Sequence, residues 1–229
     1  MKQPQKIGHR GAKGYLAENT LESIQLALQF GVDAIEIDVH KCKSGELVVF
    51  HDFTLERITD GQGEIASKSW EELKRLYVYE KFRIPLLTEV LDLIKGKCWI
   101  NIELKGLNTA AKTVRIIQHY IKNQNWNQED FLVSSFQKDE LLEVFKKDPD
   151  IQIGVLTETS FKEAIQLGAM LNAKAIHPPL GIITQENVKQ AHKAGFKIFV
   201  WTVNEPADIL RMKDFGVDGI ISDFPDLLG

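Results

Sequence analysis

The sequence predicts an α/β fold, a single (β/α)8 TIM barrel over residues 1–229 with a hairpin and a short insertion, approximately 53–85, after the second barrel strand. Three observations predict it. Short apolar runs alternate with helix-like stretches along the whole chain. Setting one return strand aside leaves eight such runs, the strand count of a closed barrel. Helix–Gly–strand units also recur, in "FGVDAIEIDV" from Phe30, "KAGFKIFVWTV" from Lys193 and "FGVDGIISDF" from Phe215, which favours repeated αβ units. Composition alone would leave a doubly wound sheet as the alternative.

Along the chain, the first expected strand is Lys6–His9, followed by Arg10 and Gly11. The stretch "NTLESIQLALQFG" reads as a helix in which Asn19 or Thr20 caps the first turn, Glu22 lies within it and Gly31 ends the run. In the next strand, Ala34–Lys41, the apolar Ile35, Ile37 and Val39 share one face while Glu36 and Asp38 share the other. Leu47–Phe50 follows after only "CKSGE", whereas a parallel crossover needs about a dozen residues, so this run must return as an antiparallel hairpin. Phe53–Pro85 is long and mixed in character, with a short helix expected in "SWEELKRLYVY". The barrel resumes at Cys98–Lys105 and continues through Phe131–Ser135, Gln152–Leu156, Ala175–His177, Lys197–Trp201 and Gly219–Ser222, with helical patterns between them.

The charge balance excludes some classes of function. Lys and Arg number 28 against 32 Asp and Glu, a formal charge of -4, and no basic stripe exists for tracking a nucleic-acid backbone. The opening "MKQPQKIGHRG" has no apolar run behind its lysines, and no segment approaches the ~20 apolar residues of a membrane helix, so no membrane insertion and a cytoplasmic setting are expected. Cys42 and Cys98 lack close spacing and are expected as free thiols. The oligomeric state is not legible.

In barrels of this kind the chemistry sits at the carboxyl ends of the strands. There the sequence places His9 and Arg10, then Glu36 and Asp38, then Asn101, Glu103 and Lys105 alternating with apolar residues, and His51 and Asp52 after the hairpin. Two carboxylates on one buried face suffer desolvation and mutual repulsion, so Glu36 and Asp38 need water, protons or a bound cation. A two-residue hairpin loop at Lys43–Ser44 would set His51 opposite Glu36, and one at Ser44–Gly45 opposite Asp38. Either puts His51 on the carboxylate face, whereas a three-residue loop with a bulge would break that parity. His40 is expected out on the hairpin, His119 and His192 in solvent, and His177 in polar packing.

The set His9-Arg10-Gly11, Glu18-Asn19-Thr20, Glu36-x-Asp38, His51-Asp52, Glu103-x-Lys105, "WTVN" at Trp201–Asn204 and "GVDGIISDFP" at Gly216–Pro225 resembles the glycerophosphodiester phosphodiesterase family, in order and across nearly the whole chain. Ala17 departs from the proline usual in that family, which changes loop stiffness and leaves the reactive groups in place. The resemblance implies a metal-dependent barrel enzyme that takes a small-molecule glycerophosphodiester and releases sn-glycerol 3-phosphate and an alcohol. The residues fit that chemistry. Glu36, Asp38 and Glu103 form an all-oxygen set suited to a hard divalent cation, Ca²⁺ or Mg²⁺. His9 and His51 suit general acid and base roles near neutral pH. Arg10 and Lys105 can offset phosphate charge, and Trp201, like Phe136, can face the glycerol carbons. Two alternatives stand beside this reading: a related phosphodiesterase acting on lysophospholipids, and a noncatalytic barrel that binds metal and phosphate.

Overall fold

Among the described residues, 3–229 of the computed structural model, nine strands carry the apolar alternation. They are β1 (Gln5–His9), β2 (Ala34–Lys41), β3 (Leu47–Val49), β4 (Trp99–Leu104), β5 (Phe131–Ser135), β6 (Gln152–Leu156), β7 (Ala175–His177), β8 (Lys197–Val200) and β9 (Gly219–Ser222). All but β3 run parallel, in the order β1-β9-β8-β7-β6-β5-β4-β2, and pairing of β1 with β2 closes the ring. Closure excludes the open doubly wound sheet. The fold is a (β/α)8 TIM barrel.

The helices are α1 (Leu21–Gln29), α2 (Trp70–Leu73), α3 (Leu87–Ile94), α4 (Ala110–Asn123), α5 (Lys138–Lys147), α6 (Phe161–Met170), α7 (Gln185–Lys193) and α8 (Pro206–Phe215). Of the two candidate caps for α1, Thr20 is the one used: its hydroxyl accepts the Ser23 amide. Gly216, at φ +77°, ends α8 in the left-handed region and returns the chain to β9.

The two faces of each strand enter different environments. Ile35, Ile37 and Val39 pack outward with Ile24 of α1 and Leu87 and Val90 of α3, in the core between barrel and helices. Burying each such side chain is worth about 1.5–3 kcal/mol relative to exposure. Inside the barrel, Ile7, Ala34, Leu132, Ala175, Phe199 and Ile221 form an apolar floor. Further along the same strands the buried residues become polar: Glu36, Asp38, Asn101, Glu103, Ser134 and His177. This polar group thus stands on a packed plug toward the carboxyl end of the ring.

The hairpin departs from both expected registers. Val39 pairs with Val49 and Lys41 with Leu47, because Gly45 adopts φ +100° and its N–H reaches the Cys42 carbonyl at 2.9 Å, forming the longer, bulged loop. Continued in this register, His51 would face Ile37. Instead β3 stops at Val49, the Phe50 amide bonds the Asp38 carbonyl at 3.0 Å, and the chain bends through His51. A bend, not strand parity, delivers His51. His40 lies on the hairpin as expected, paired with Val48, but is buried rather than out in the open. Residues 50–86 build a second small core around Leu55, Ile58, Ile65, Leu73 and Val78, which Ala17, Cys42 and Val48 join from outside that segment. Cys42 and Cys98 are buried free thiols, and no described helix is long and apolar enough to cross a membrane.

Candidate active site

The carboxylate cluster follows from register. β2 pairs with β4 so that Glu36 neighbours Asn101 and Asp38 neighbours Glu103, while β1 sets His9 beside Glu36. Glu36, Asp38 and Glu103 each offer an oxygen within 4.8 Å of the others, and all three are buried. Burial, then the charges of Asp38 and Glu103, pushes the Glu36 carboxyl well above the usual range. Burial and the Asp38 charge push Glu103 up to about 7, against the pull of Lys105. Burial also acts on Asp38, but Arg10, His51, Lys105 and the Asn19 amide outweigh it and hold that carboxyl low. Asn19 Nδ2 donates to Asp38 Oδ2 at 2.9 Å and Arg10 Nε lies 3.2 Å from the same oxygen, while buried Asp38 Oδ1 has no hydrogen-bond partner. An orphaned oxygen among three crowded acids fits a hard divalent cation, which would satisfy both the charge and the lone pairs.

The two histidines are held alike. His9 Nδ1 lies 2.6 Å from Asp223 Oδ1, and Asn204 Nδ2 donates to Asp223 Oδ2 at 3.0 Å. Although burial opposes it, the His9 bond holds the Asp223 carboxyl down at about 2, so Asp223 accepts and His9 Nδ1 carries the proton. His9 Nε2 then turns toward the cluster, 4.0 Å from Glu36 Oε2. His51 Nδ1 lies 2.6 Å from Asp52 Oδ1; Arg57 binds Asp52 and also Glu18, and Glu18 accepts from Arg10 Nη1 at 2.8 Å. Burial lowers both imidazole pKa values, and the facing carboxylates oppose it. His40, buried and with its own pKa lowered chiefly by burial, contacts the His51 carbonyl through Nε2 at 3.1 Å. That contact ties the bend after β3 to β2.

Arg10 and Lys105 complete the cavity, which measures about 320 Å³ and is also lined by His9, His51, Glu36 and Glu103. Lys105 Nζ stands 3.1 Å from Glu103 Oε1. Beside Lys105, whose Nζ lies 5.5 Å from the Phe136 ring centre, runs an apolar wall: Phe136 and Trp201 meet edge to face at 5.7 Å, and Trp201 Nε1 donates to the His177 carbonyl at 2.8 Å. Every residue singled out from the sequence, His9, His51, Arg10, Lys105, Trp201, Glu36, Asp38 and Glu103, therefore meets at one end of the barrel. His177 does not reach the rim. It is fully buried, both ring nitrogens lack partners and burial pushes its pKa down to about 3, so polar packing is corrected to apolar packing against Phe199. Asp223, Asn204 and Glu18 received no role from the sequence, and Asn19 only that of a candidate helix cap, although all four lie in motifs that stood out. Arg57 and Lys13 carried no signal, sitting in irregular chain on either side of the cluster.

Residues 9–227 match the model of the glycerophosphoryl diester phosphodiesterase family. A glycerophosphodiester phosphodiesterase of Caldanaerobacter subterraneus subsp. tengcongensis is 37% identical over 231 residues, covering 97% of this chain and 95% of that protein. One from Bacillus altitudinis is 37% identical over 234 residues, covering 96% and 94%. Among solved structures, a phosphodiesterase from Oleispira antarctica in complex with the product sn-glycerol-3-phosphate superposes with a TM-score of 0.90 at 30% identity, covering 99% of this chain and 95% of that one.

Proposed function

The chain belongs to the glycerophosphoryl diester phosphodiesterase family, and from that premise we propose that it hydrolyses glycerophosphodiesters to sn-glycerol 3-phosphate and an alcohol with His9 and His51 as the acid–base pair. The observation that carries this reading is the convergence of two aspartate-held imidazoles on one cavity with the carboxylate cluster and two cations. The Oleispira antarctica structure with sn-glycerol-3-phosphate supports the same product.

Glu36, Asp38 and Glu103 would hold a divalent cation, Ca²⁺ or Mg²⁺, which when bound supplies positive charge against the nonbridging phosphate oxygens. The remaining work falls to the protein. Arg10 binds the phosphate with forked donors and Lys105 with a point charge. Trp201 and Phe136 exclude water from the glycerol carbons. The vicinal hydroxyl of glycerol is tethered to the phosphorus, and oriented intramolecular attack is worth effective molarities of roughly 10⁵–10⁸ M, so it is a better nucleophile than free water. One histidine takes the hydroxyl proton through Nε2 as the new P–O bond forms. The other protonates the leaving alkoxide as the old P–O bond breaks, leaving a cyclic phosphate. Water then opens the ring: the second histidine, now neutral, takes a water proton, and the first returns its own to the glycerol oxygen.

The cavity of about 320 Å³ favours short diesters over lysophospholipids, whose acyl chain would have to run out across the rim. Glycerol 3-phosphate release, measured with and without chelator and with Ca²⁺ or Mg²⁺ restored, tests this reading. Release that chelation abolishes and cation restores is expected; full activity after exhaustive chelation would remove the cation from the scheme. A diester lacking the vicinal hydroxyl should bind yet scarcely turn over, and normal turnover would establish direct attack by water.

A further inference from the structure

One carboxylate in the cavity has no part in that chemistry. Glu158 follows β6, lines the same cavity as the histidines, and has neither a hydrogen bond nor an ion pair among the described residues. Its turn is fixed: the Ser160 amide donates to Thr157 Oγ1 at 3.2 Å, and the Thr157 amide reaches the His177 carbonyl at 3.3 Å. In the ring order β1-β2-β4-β5-β6, β6 lies half-way around an eight-stranded barrel from β1. Glu158 therefore stands across the mouth from His9, Arg10 and Lys13. Phe136 follows the neighbouring β5 and Trp201 follows β8, so the aromatic wall flanks its position.

The charges around the mouth are thus uneven. Arg10 and Lys13 stand on the β1 side and Lys105 follows β4, each matched with a carboxylate, whereas Glu158, across from β1, is an unmatched anion. Beside a phosphodiester such a charge repels the substrate unless the substrate brings a cation of its own. We propose that Glu158 receives the positively charged head group of the substrate alcohol, so that the enzyme prefers diesters of amino alcohols to those of neutral polyols. In ethanolamine and choline diesters the nitrogen lies two carbons beyond the ester oxygen, so phosphate and ammonium can address opposite sides of the mouth. The carboxylate attracts the ammonium by direct charge pairing. This inference rests on the hydrolase reading above.

The test compares kcat/KM for sn-glycero-3-phosphoethanolamine, sn-glycero-3-phosphocholine and the glycerol diester in wild type, Glu158→Gln and Glu158→Lys. Wild type is expected to favour the two cationic substrates. Because the site is partly open to water, Glu158→Gln should lower the cationic-to-neutral ratio by about threefold to tenfold, mainly through KM, and Glu158→Lys by more. An unchanged ratio overturns the proposal. So do equal losses on all three substrates, which would place Glu158 on the shared glycerol half. Absence of release from any of the three by wild type overturns the hydrolase reading itself, an outcome distinct from a flat ratio.

Discussion

Asp223 is joined to His9 across 214 positions of sequence, and its carboxylate fixes which ring nitrogen of His9 faces the cavity. Asp223→Asn keeps the shape but removes the charge that stabilises the imidazolium. Turnover should fall by about 10²–10³, within the range that general acid–base catalysis contributes, while KM changes little. A change confined to KM would reduce Asp223 to a structural role. Arg10→Lys is also expected to be harmful, because a lysine cannot supply the forked donors that reach both Glu18 and a phosphate; wild-type kinetics in that variant would return Arg10 to a purely structural ion pair. The difference in legibility between these residues is physical. Glu36, Asp38, Glu103 and Lys105 were readable because polar residues at period two among β-branched neighbours have no ordinary place in a buried strand. Asp223 and Glu18 act through partners that only the closed ring brings near, so their roles were not readable even within recognisable motifs.

The bend after β3 depends on a close crossing of two elements. A Cβ added at Gly106, just past β4, would lie 2.9 Å from His40 Nδ1 and 3.1 Å from His40 Cα, and the latter cannot yield without moving β2. His40 in turn holds the His51 carbonyl. Gly106→Ala should therefore destabilise the fold by about 1–3 kcal/mol and reduce turnover by displacing His51. Thermal melts and kcat should move together, and Gly181→Ala, whose added methyl meets nothing within 4 Å, serves as the control. Loss of stability with unchanged kcat would separate His40 from the placement of His51. The strands themselves were legible to within a residue or two, since both alternation and crossover length constrain them. The hairpin register was not: a single glycine at positive φ shifts every partner by one, and short sequence patterns do not distinguish the two-residue loop from the bulged one.

Ring closure gathers mutually repelling acids over an apolar floor, so the carboxyl end of the barrel contributes to function at the expense of stability. The sign of the pH dependence follows. Glu36 and Glu103 have folded pKa values raised above their usual 4.5, Glu103 to about 7. Their contribution is fully present below the unfolded value and is lost as pH rises through the folded one. His177 works in the opposite sense. Its folded pKa is pushed from 6.5 to about 3, so the unfolded chain takes up a proton that the fold refuses, and stability falls as pH drops through that interval. A divalent cation held by the ionised cluster would compete with protons for it, so its stabilising effect should grow with pH, whereas the His177 effect would be indifferent to the cation. The rise in Tm on adding Ca²⁺ or Mg²⁺ to chelated protein should accordingly be larger at about pH 8 than at about pH 5.5. In Glu103→Gln, with one of the three charges gone, that rise should shrink at both pH values. An equal increment at the two pH values in wild type would mean that the cation stabilises the molecule from somewhere other than Glu36, Asp38 and Glu103.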